Sequence, residues 1–594
     1  MPDTSSKAKK PAPPAKTDRR WGSDVIVDML HRYELPYAAL NPGASYRGLH
    51  DSMVNYGGNK PVMMLCQHEE TAVQIAHGYA KACGRPMVAI VHNLVGLLHS
   101  NLAIYYAYID RAPIFIIGAT GPMDETKRRP RIDWTHTALV QGTAVRDYTK
   151  WDYQPTVVDG VPESFARAYG VMMTEPQGPI YMCYDAWLQE QPLEHDVPLP
   201  PKTSMPVPAS YSADPAALAR AADLIAAAQR PVILAEFVGR DPRAFDHLVA
   251  LAETLGAPVY DVNSRLNFPG CHPLNMSMVK EVFRDADLIL CLDVRDWERA
   301  TTELVSTTRK LTSIEPPDCT WIDIGFGDLE LSSWAMDYQR LKHAQLRILA
   351  DTTLAIPALT DLVRGKIAGN AGLGKLIEAR ARKTGERHRA ARAKWAKEAR
   401  EDWDASPIPL PRLATEIWEA VKGEDWVLTA NTLEDWARML WDFDKPYRHP
   451  GKSLGTSTQI GISLGVALAH RDAGRLVVDI QPDGDLMFDA GALWVAVKHR
   501  IPMLVVMYNN RAYYNDWEHQ IRMARLRGTP VERAHIGMDL DTPNVDFAGL
   551  ARSMGWYAEG PIEHGKDVGP ALKRAIARVK AGQPALLDTI TQKR

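Results

Sequence analysis

The chain has little cysteine, no long apolar run and no excess of either charge, and each shortage removes a class of function. Its six cysteines (Cys66, Cys83, Cys183, Cys271, Cys291, Cys319) form no CxxC pair. That argues against a zinc site and fits a reducing compartment, so a cytoplasmic location is expected. No apolar run approaches membrane-spanning length. Lys and Arg number 69 against 72 Asp and Glu, a formal net charge of −3, which recommends neither a nucleic acid nor an anionic membrane as partner. The first twenty residues, MPDTSSKAKKPAPPAKTDRR, lack the apolar segment of a secretory signal. They read as a disordered Lys/Pro/Ala tail.

What is present is α/β alternation, in a chain of 594 residues that is 46% hydrophobic and 24% charged. That length predicts three domains around separate cores. The most informative stretch is Gln481–Asp516. Before it, RLVVDI (Arg475–Ile480) is an unbroken apolar run that predicts a buried strand. A turn follows at Pro482-Asp483-Gly484-Asp485, then helical spacing over Met487–Lys498, then a second buried strand over Pro502–Tyr508 that ends on Asn509-Asn510. Two parallel strands joined by a crossover helix end side by side, at the edge where such sheets bind ligands.

The residue types at those two ends suit a phosphate held through a divalent cation. Asp483 offers a carboxylate oxygen, Asn510 an amide oxygen and Ala512 a backbone carbonyl, an oxygen-only set that suits Mg²⁺. Gly484 lets the backbone approach a phosphate, and the helix that follows points its N-terminus at it. The separation, 510 − 483 = 27 residues, leaves room for one helix and one strand.

This arrangement resembles the thiamine diphosphate motif, a GDG followed at about this distance by NN. Pro482 stands where the first glycine is usual, and Asp485 replaces a common serine. A second carboxylate near a pyrophosphate is unfavourable unless it faces the metal. Farther upstream, PVMMLCQHEETAVQIAHGYAKACGRPMVAIVHN predicts strand Val62–Cys66, helix Glu69–Ala82 and strand Met87–Val91, which ends on His92-Asn93. Glu69 precedes Gly78-Tyr79-Ala80 at the distance found in the pyrimidine-binding domain of the thiamine-dependent superfamily. The turn Asn41-Pro42-Gly43, the pair His68-Glu69 and the GRP step also match. TKWDYQP (Thr149–Pro155), ALW (Ala492–Trp494) and His92 are similar to the benzoylformate decarboxylase branch, although Ala44 stands where that branch has serine after the turn.

Elsewhere the sequence is plainer. WGSDVIVDMLHRYEL predicts a helix capped by Ser23 or Asp24. Ala216–Gly365 predicts another α/β unit, with strands Pro231–Glu236, Pro258–Val262, Leu288–Leu292 and Trp321–Ile324 and a helix over Ala244–Leu255. It has no GxGxxG after a strand and no Walker loop, so a structural spacer is expected. Leu376–Asp404 predicts a charged, solvated linker helix. Strand Trp426–Thr429 runs into Ala430-Asn431-Thr432, where Asn431 and Thr432 are candidate cofactor contacts. In the glycine-rich stretch Gly451–Ala469 the resemblance puts Thr456 where a bulky residue supports the bent cofactor and Ser457 where glycine is usual; a shifted register would use Leu454. Beyond Asn510, Glu518 and His519 are candidate proton carriers, and Arg522, Arg525 and Arg527 candidate anion contacts. For Glu518 an i,i+4 pair with Arg522 stands beside that role.

The resemblance implies an α/β fold of three doubly wound parallel-sheet domains. Their expected limits are 21–200 (pyrimidine-binding), 201–370 (middle) and 407–594 (pyrophosphate-binding), with tail 1–20 and linker 371–406. It implies thiamine diphosphate and Mg²⁺ as cofactors. Glu69 would be the partner of the pyrimidine ring, and His92, with His99 as a second candidate, would handle acid–base steps. A homodimer is the minimal active unit implied, and a homotetramer is common. The implied activity is a carbon–carbon lyase or decarboxylase of a 2-oxo acid, possible carboligation included. An acetolactate-synthase-like transferase, a 2-hydroxyacyl-CoA lyase and a non-catalytic thiamine-binding homologue stand as alternatives.

Overall fold

Short runs of β-branched and apolar residues separated by helical stretches build three parallel sheets in the computed structural model, which describes residues 18–330, 342–452 and 455–593. The chain forms two compact units, one of Met1–Ala76, Pro86–Met173 and Gln177–Pro208, the other of His77–Arg85, Thr174–Pro176 and Ala209–Arg594.

The first unit holds a six-stranded parallel sheet of β1 (Tyr37–Leu40), β2 (Val62–Leu65), β3 (Met87–Ile90), β4 (Ile114–Thr120), β5 (Trp151–Tyr153) and β6 (Ile180–Asp185), in the order β2-β1-β3-β4-β6-β5. Every residue of β3, β4 and β6 is buried, as expected of parallel strands covered on both faces. Phe115, Phe165 and Met182 pack in the core beneath them. From β1 the chain goes to one side for β2 and to the other for β3, so the order reverses between β1 and β3. The carboxyl ends there, Asn41-Pro42-Gly43 after β1 and His92 after β3, flank the crevice where such sheets bind ligands.

The second unit carries two five-stranded parallel sheets and a two-stranded antiparallel ribbon. One sheet consists of β7 (Pro231–Ala235), β8 (Val259–Asp261), β9 (Leu288–Leu292), β12 (Thr320–Gly325) and β13 (Leu346–Leu349), in the order β13-β12-β9-β7-β8. The ribbon pairs β10 (Thr302–Val305) with β11 (Lys310–Ser313). The other sheet consists of β14 (Trp426–Thr429), β15 (Leu476–Pro482), β16 (Leu504–Asn509), β17 (Tyr557–Ile562) and β18 (Ala585–Ile590), in the order β14-β15-β16-β18-β17. Its core is closed by Trp426, Trp441 and Phe443 in edge-to-face and stacked contact.

Several expected elements change shape. The helix over Met487–Lys498 is two helices, Asp483–Phe488 and Ala492–Lys498, because the chain breaks at Asp489-Ala490-Gly491. The linker helix runs over Ala371–Glu398 rather than to Asp404. The first helix, Gly22–Arg32, takes Trp21 as its N-cap. Asp24 acts from the third helical position, where its carboxylate accepts the Arg20 and Trp21 N–H groups at 2.8 and 3.0 Å. At the end of the expected tail, Arg19 pairs with Asp28 at 2.8 Å. Residues 1–17 lie outside the described set, as does Leu454.

Candidate active site

The metal-binding candidates stand at the carboxyl edge of the last sheet. β15 and β16 pair in parallel with Pro482 opposite Tyr508, so Asp483 and Asn510 follow adjacent strand ends. Arg511 turns back with φ +57°. That turn brings the Ala512 N–H to 3.1 Å from Asp483 Oδ2 and 3.0 Å from Asn510 Oδ1. One donor thus gathers both expected ligand oxygens. Asp483 is buried, and desolvation pushes its carboxyl up to about 6 against the lowering effect of the Gly484 and Ala512 N–H groups. A cation beside this buried carboxylate would favour its charged form. Gly484 is tightly backed, since a Cβ there would come within 2.6 Å of the Tyr513 ring. The donor set, two hard oxygens at a glycine-containing helix start, fits Mg²⁺ and a diphosphate.

Asp485 does not turn toward this oxygen pair. Its Oδ1 accepts the Ser457 N–H at 2.8 Å, and its Oδ2 accepts the Gln459 N–H and Gln481 Nε2, each at 3.3 Å. Thr456 is exposed, with φ +53°, and Ser457 is buried, with φ +77°. Beneath them Gln459 Nε2 donates to Asp479 Oδ1 at 2.9 Å, and burial pushes the Asp479 carboxyl up to about 8. Asn431 spends its amide locally, donating to Tyr508 Oη at 2.9 Å and accepting the Leu433 N–H at 2.7 Å. Thr432 is buried and donates to Asp435.

In the first unit, Glu69 opens the helix Glu69–Cys83 and is buried. Gly96 leaves room for its carboxylate; a Cβ at Gly96 would lie 2.9 Å from both Glu69 Cγ and Oε1. His99 Nδ1 stands 3.2 Å from Glu69 Oε2, and the His68 and His99 rings stack with centroids 4.9 Å apart. Two imidazoles and a buried carboxylate therefore converge.

His92 is the N-cap of the helix Asn93–His99. Its Nδ1 is 2.8 Å from Ser45 Oγ, which also accepts the Asn93 N–H at 3.2 Å. With that N–H on one oxygen lone pair, the serine keeps a second lone pair and its own proton, so it can meet either tautomer of His92. The ring rests against Gly43, where a Cβ would fall 2.4 Å away. Burial lowers the His92 pKa, the neighbouring His136 lowers it further, and Glu69 opposes both. The two rings are 5.8 Å apart. The base is thereby kept neutral for accepting a proton.

Glu518 lies on the helix Tyr514–Arg527, where its Oε1 pairs with Arg522 at 2.7 Å. His519, Arg525 and Arg527 are exposed. Sequence reasoning missed Ser45, His136, Gly96 and Tyr513. Ser45 sits one residue past the position inspected for a serine. Gly96 and Tyr513 matter through contacts that sequence spacing does not record, and His136 lies in a loop with no motif around it.

The family models "Thiamine pyrophosphate enzyme, N-terminal TPP binding domain", "central domain" and "C-terminal TPP binding domain" match residues 20–143, 218–326 and 432–589. Among curated relatives, a probable acetolactate synthase large subunit of Methanocaldococcus jannaschii is 23% identical, covering 96% of this chain and 91% of the relative. Benzoylformate decarboxylase of Pseudomonas aeruginosa is 23% identical, covering 89% and 92%. The crystal structure of benzoylformate decarboxylase from Polynucleobacter necessarius superposes with a TM-score of 0.74 at 18% identity, covering 97% and 99%.

Proposed function

The chain belongs to the thiamine pyrophosphate enzyme family, and on that premise we propose that it is a Mg²⁺-dependent lyase or decarboxylase of 2-oxo acids. The observation that carries the cofactor half is the meeting of Asp483 and Asn510 oxygens at one N–H. Asp483, Asn510 and the Ala512 carbonyl would hold the cation, with the diphosphate against Gly484. When bound, thiamine diphosphate supplies a nucleophilic carbon that adds to a carbonyl and stores the electron pair released by carbon–carbon cleavage.

The chain's own residues supply the proton handling and the placement. Glu69, buried with space cleared by Gly96, would share a proton with the pyrimidine ring nitrogen. His92, with its pKa lowered toward the neutral form, would take or give a proton at the reacting carbonyl oxygen. The Ser45 hydroxyl holds the ring in place through Nδ1. A histidine at this strand end, tied to a serine after the Asn-Pro-Gly turn, supports the decarboxylase over the synthase. The active unit proposed is a homodimer or homotetramer in the cytoplasm. Product analysis by mass spectrometry with pyruvate, benzoylformate and a 2-hydroxyacyl-CoA tests the reaction. An aldehyde and carbon dioxide from a 2-oxo acid are expected. Acetolactate from pyruvate, or cleavage of the thioester alone, would overturn the assignment.

A further inference from the structure

Gly455, Thr456 and Ser457 are three consecutive residues in the left-handed region, with φ of +77°, +53° and +77°. Two of them carry a Cβ, and threonine is β-branched, so the surroundings must over-determine this backbone. One contact that does so comes from Asp485, in the helix that directly follows β15. Asp485 is 7% exposed and gathers three donors: the Ser457 N–H at 2.8 Å, the Gln459 N–H at 3.3 Å and Gln481 Nε2 at 3.3 Å. The two backbone donors flank Thr458, the N-cap of the twelve-residue helix Gln459–His470. N–H groups at a helix start lack intrahelical partners and attract an anion. The chain fills that place with its own carboxylate.

We propose that Asp485 is a positioning residue, an internal anion that latches the Gly455–Gln459 turn in its left-handed form and so presents Thr456 to the cofactor. Ser457 and Asp485 then act as one unit. Glycine at 457 would take φ +77° without steric cost and would need no latch. Serine there needs the carboxylate to hold its N–H in place. The departures at 457 and 485 thus compensate each other. The role of Thr456 rests on the thiamine reading; the latch itself does not.

Two measurements on the full-length protein separate these parts. Hydrogen–deuterium exchange of the cofactor-free protein follows the 455–459 amides in wild type, Asp485→Ser, Ser457→Gly and the double variant. Loss of the latch bonds in Asp485→Ser should speed exchange by about tenfold or more, and the double variant, which regains no acceptor for these N–H groups, should stay fast. Calorimetric titration with thiamine diphosphate and Mg²⁺ should show affinity falling by about tenfold or more in Asp485→Ser and returning in the double variant. Should Asp485→Ser fold poorly, Asp485→Asn serves. It keeps one acceptor and presents an amide N–H₂ to a backbone N–H, so it should show the same direction of change. Exchange unchanged in the Asp485 variants, or a double variant whose cofactor affinity is no better than that of Asp485→Ser, overturns the latch. Faster exchange with unchanged cofactor affinity overturns the link to the cofactor and with it the assignment of Thr456.

Discussion

At the scale of single residues, the account turns on carboxylates given different tasks by their surroundings. Glu69 is buried beside His99, and Gly96 makes its space. Glu69→Gln keeps the shape but loses the charge-assisted bond to a ring nitrogen. It should slow hydrogen–deuterium exchange at the cofactor's C2, read by NMR, by about 10²–10⁴-fold; wild-type exchange would reduce Glu69 to a helix cap. Glu518 is the opposite case. It pairs with Arg522 one helical turn on, an interaction worth a few tenths of a kcal/mol. Glu518→Gln should therefore leave turnover and its pH profile unchanged, and a sharp fall in turnover with the cofactor retained would restore it as a proton carrier. The placement of the candidates Asp483, Asn510, Glu69 and His92 at strand ends and helix starts was legible in the sequence, from side-chain type and spacing. Ser45 and His136 were not, because their role arises from a turn and a loop folding onto His92.

At the scale of elements, strands were easier to read than helices. Leu288–Leu292 and Trp426–Thr429 stand as expected, since a fully buried parallel strand must be a continuous apolar run. The Met487–Lys498 pattern was read as one helix because its apolar spacing survives the break at Asp489-Ala490-Gly491. Spacing alone does not register that Asp483, in the first turn, is tied to the Ala512 N–H beyond the next strand. The paired β10–β11 ribbon and edge strand β13 went unseen, being short and partly exposed. Strand β15 also carries a pH-sensitive group. Asp479 is fully buried on it, with its carboxyl raised from 3.8 to about 8. The folded protein keeps a proton that the unfolded chain releases above pH 3.8. This contribution to stability is therefore complete below that value and is lost as pH rises to about 8, by at most about 1.4 kcal/mol per pH unit. Asp479→Asn mimics the protonated acid, so its thermal midpoint should fall less than wild type between pH 6 and 9. Parallel curves would show that Asp479 does not titrate in that range.

At the scale of the whole molecule, three parallel sheets follow from the alternation of strand and helix patterns, and the family assignment agrees with them. At the carboxyl edge of the middle sheet, Arg240 pairs with Asp293 at 2.7 Å, Asp351 at 2.6 Å and Glu175 at 3.2 Å. Arg240→Ala removes the cation facing the buried carboxylates of Asp293 and Asp351 and should cost about 3–5 kcal/mol in denaturant unfolding; a loss under 1 kcal/mol would mean the network is solvated. The central claim is that Asp483 and Asn510 hold a divalent cation and through it the diphosphate of thiamine diphosphate. Calorimetric titration of the dialysed full-length protein with thiamine diphosphate tests it most directly, with and without Mg²⁺, in wild type and in a folded Asp483→Ala variant. The account predicts saturable binding by wild type only when Mg²⁺ is present, and none by Asp483→Ala under either condition. Equal binding by the two proteins, or binding by wild type indifferent to Mg²⁺, would contradict it.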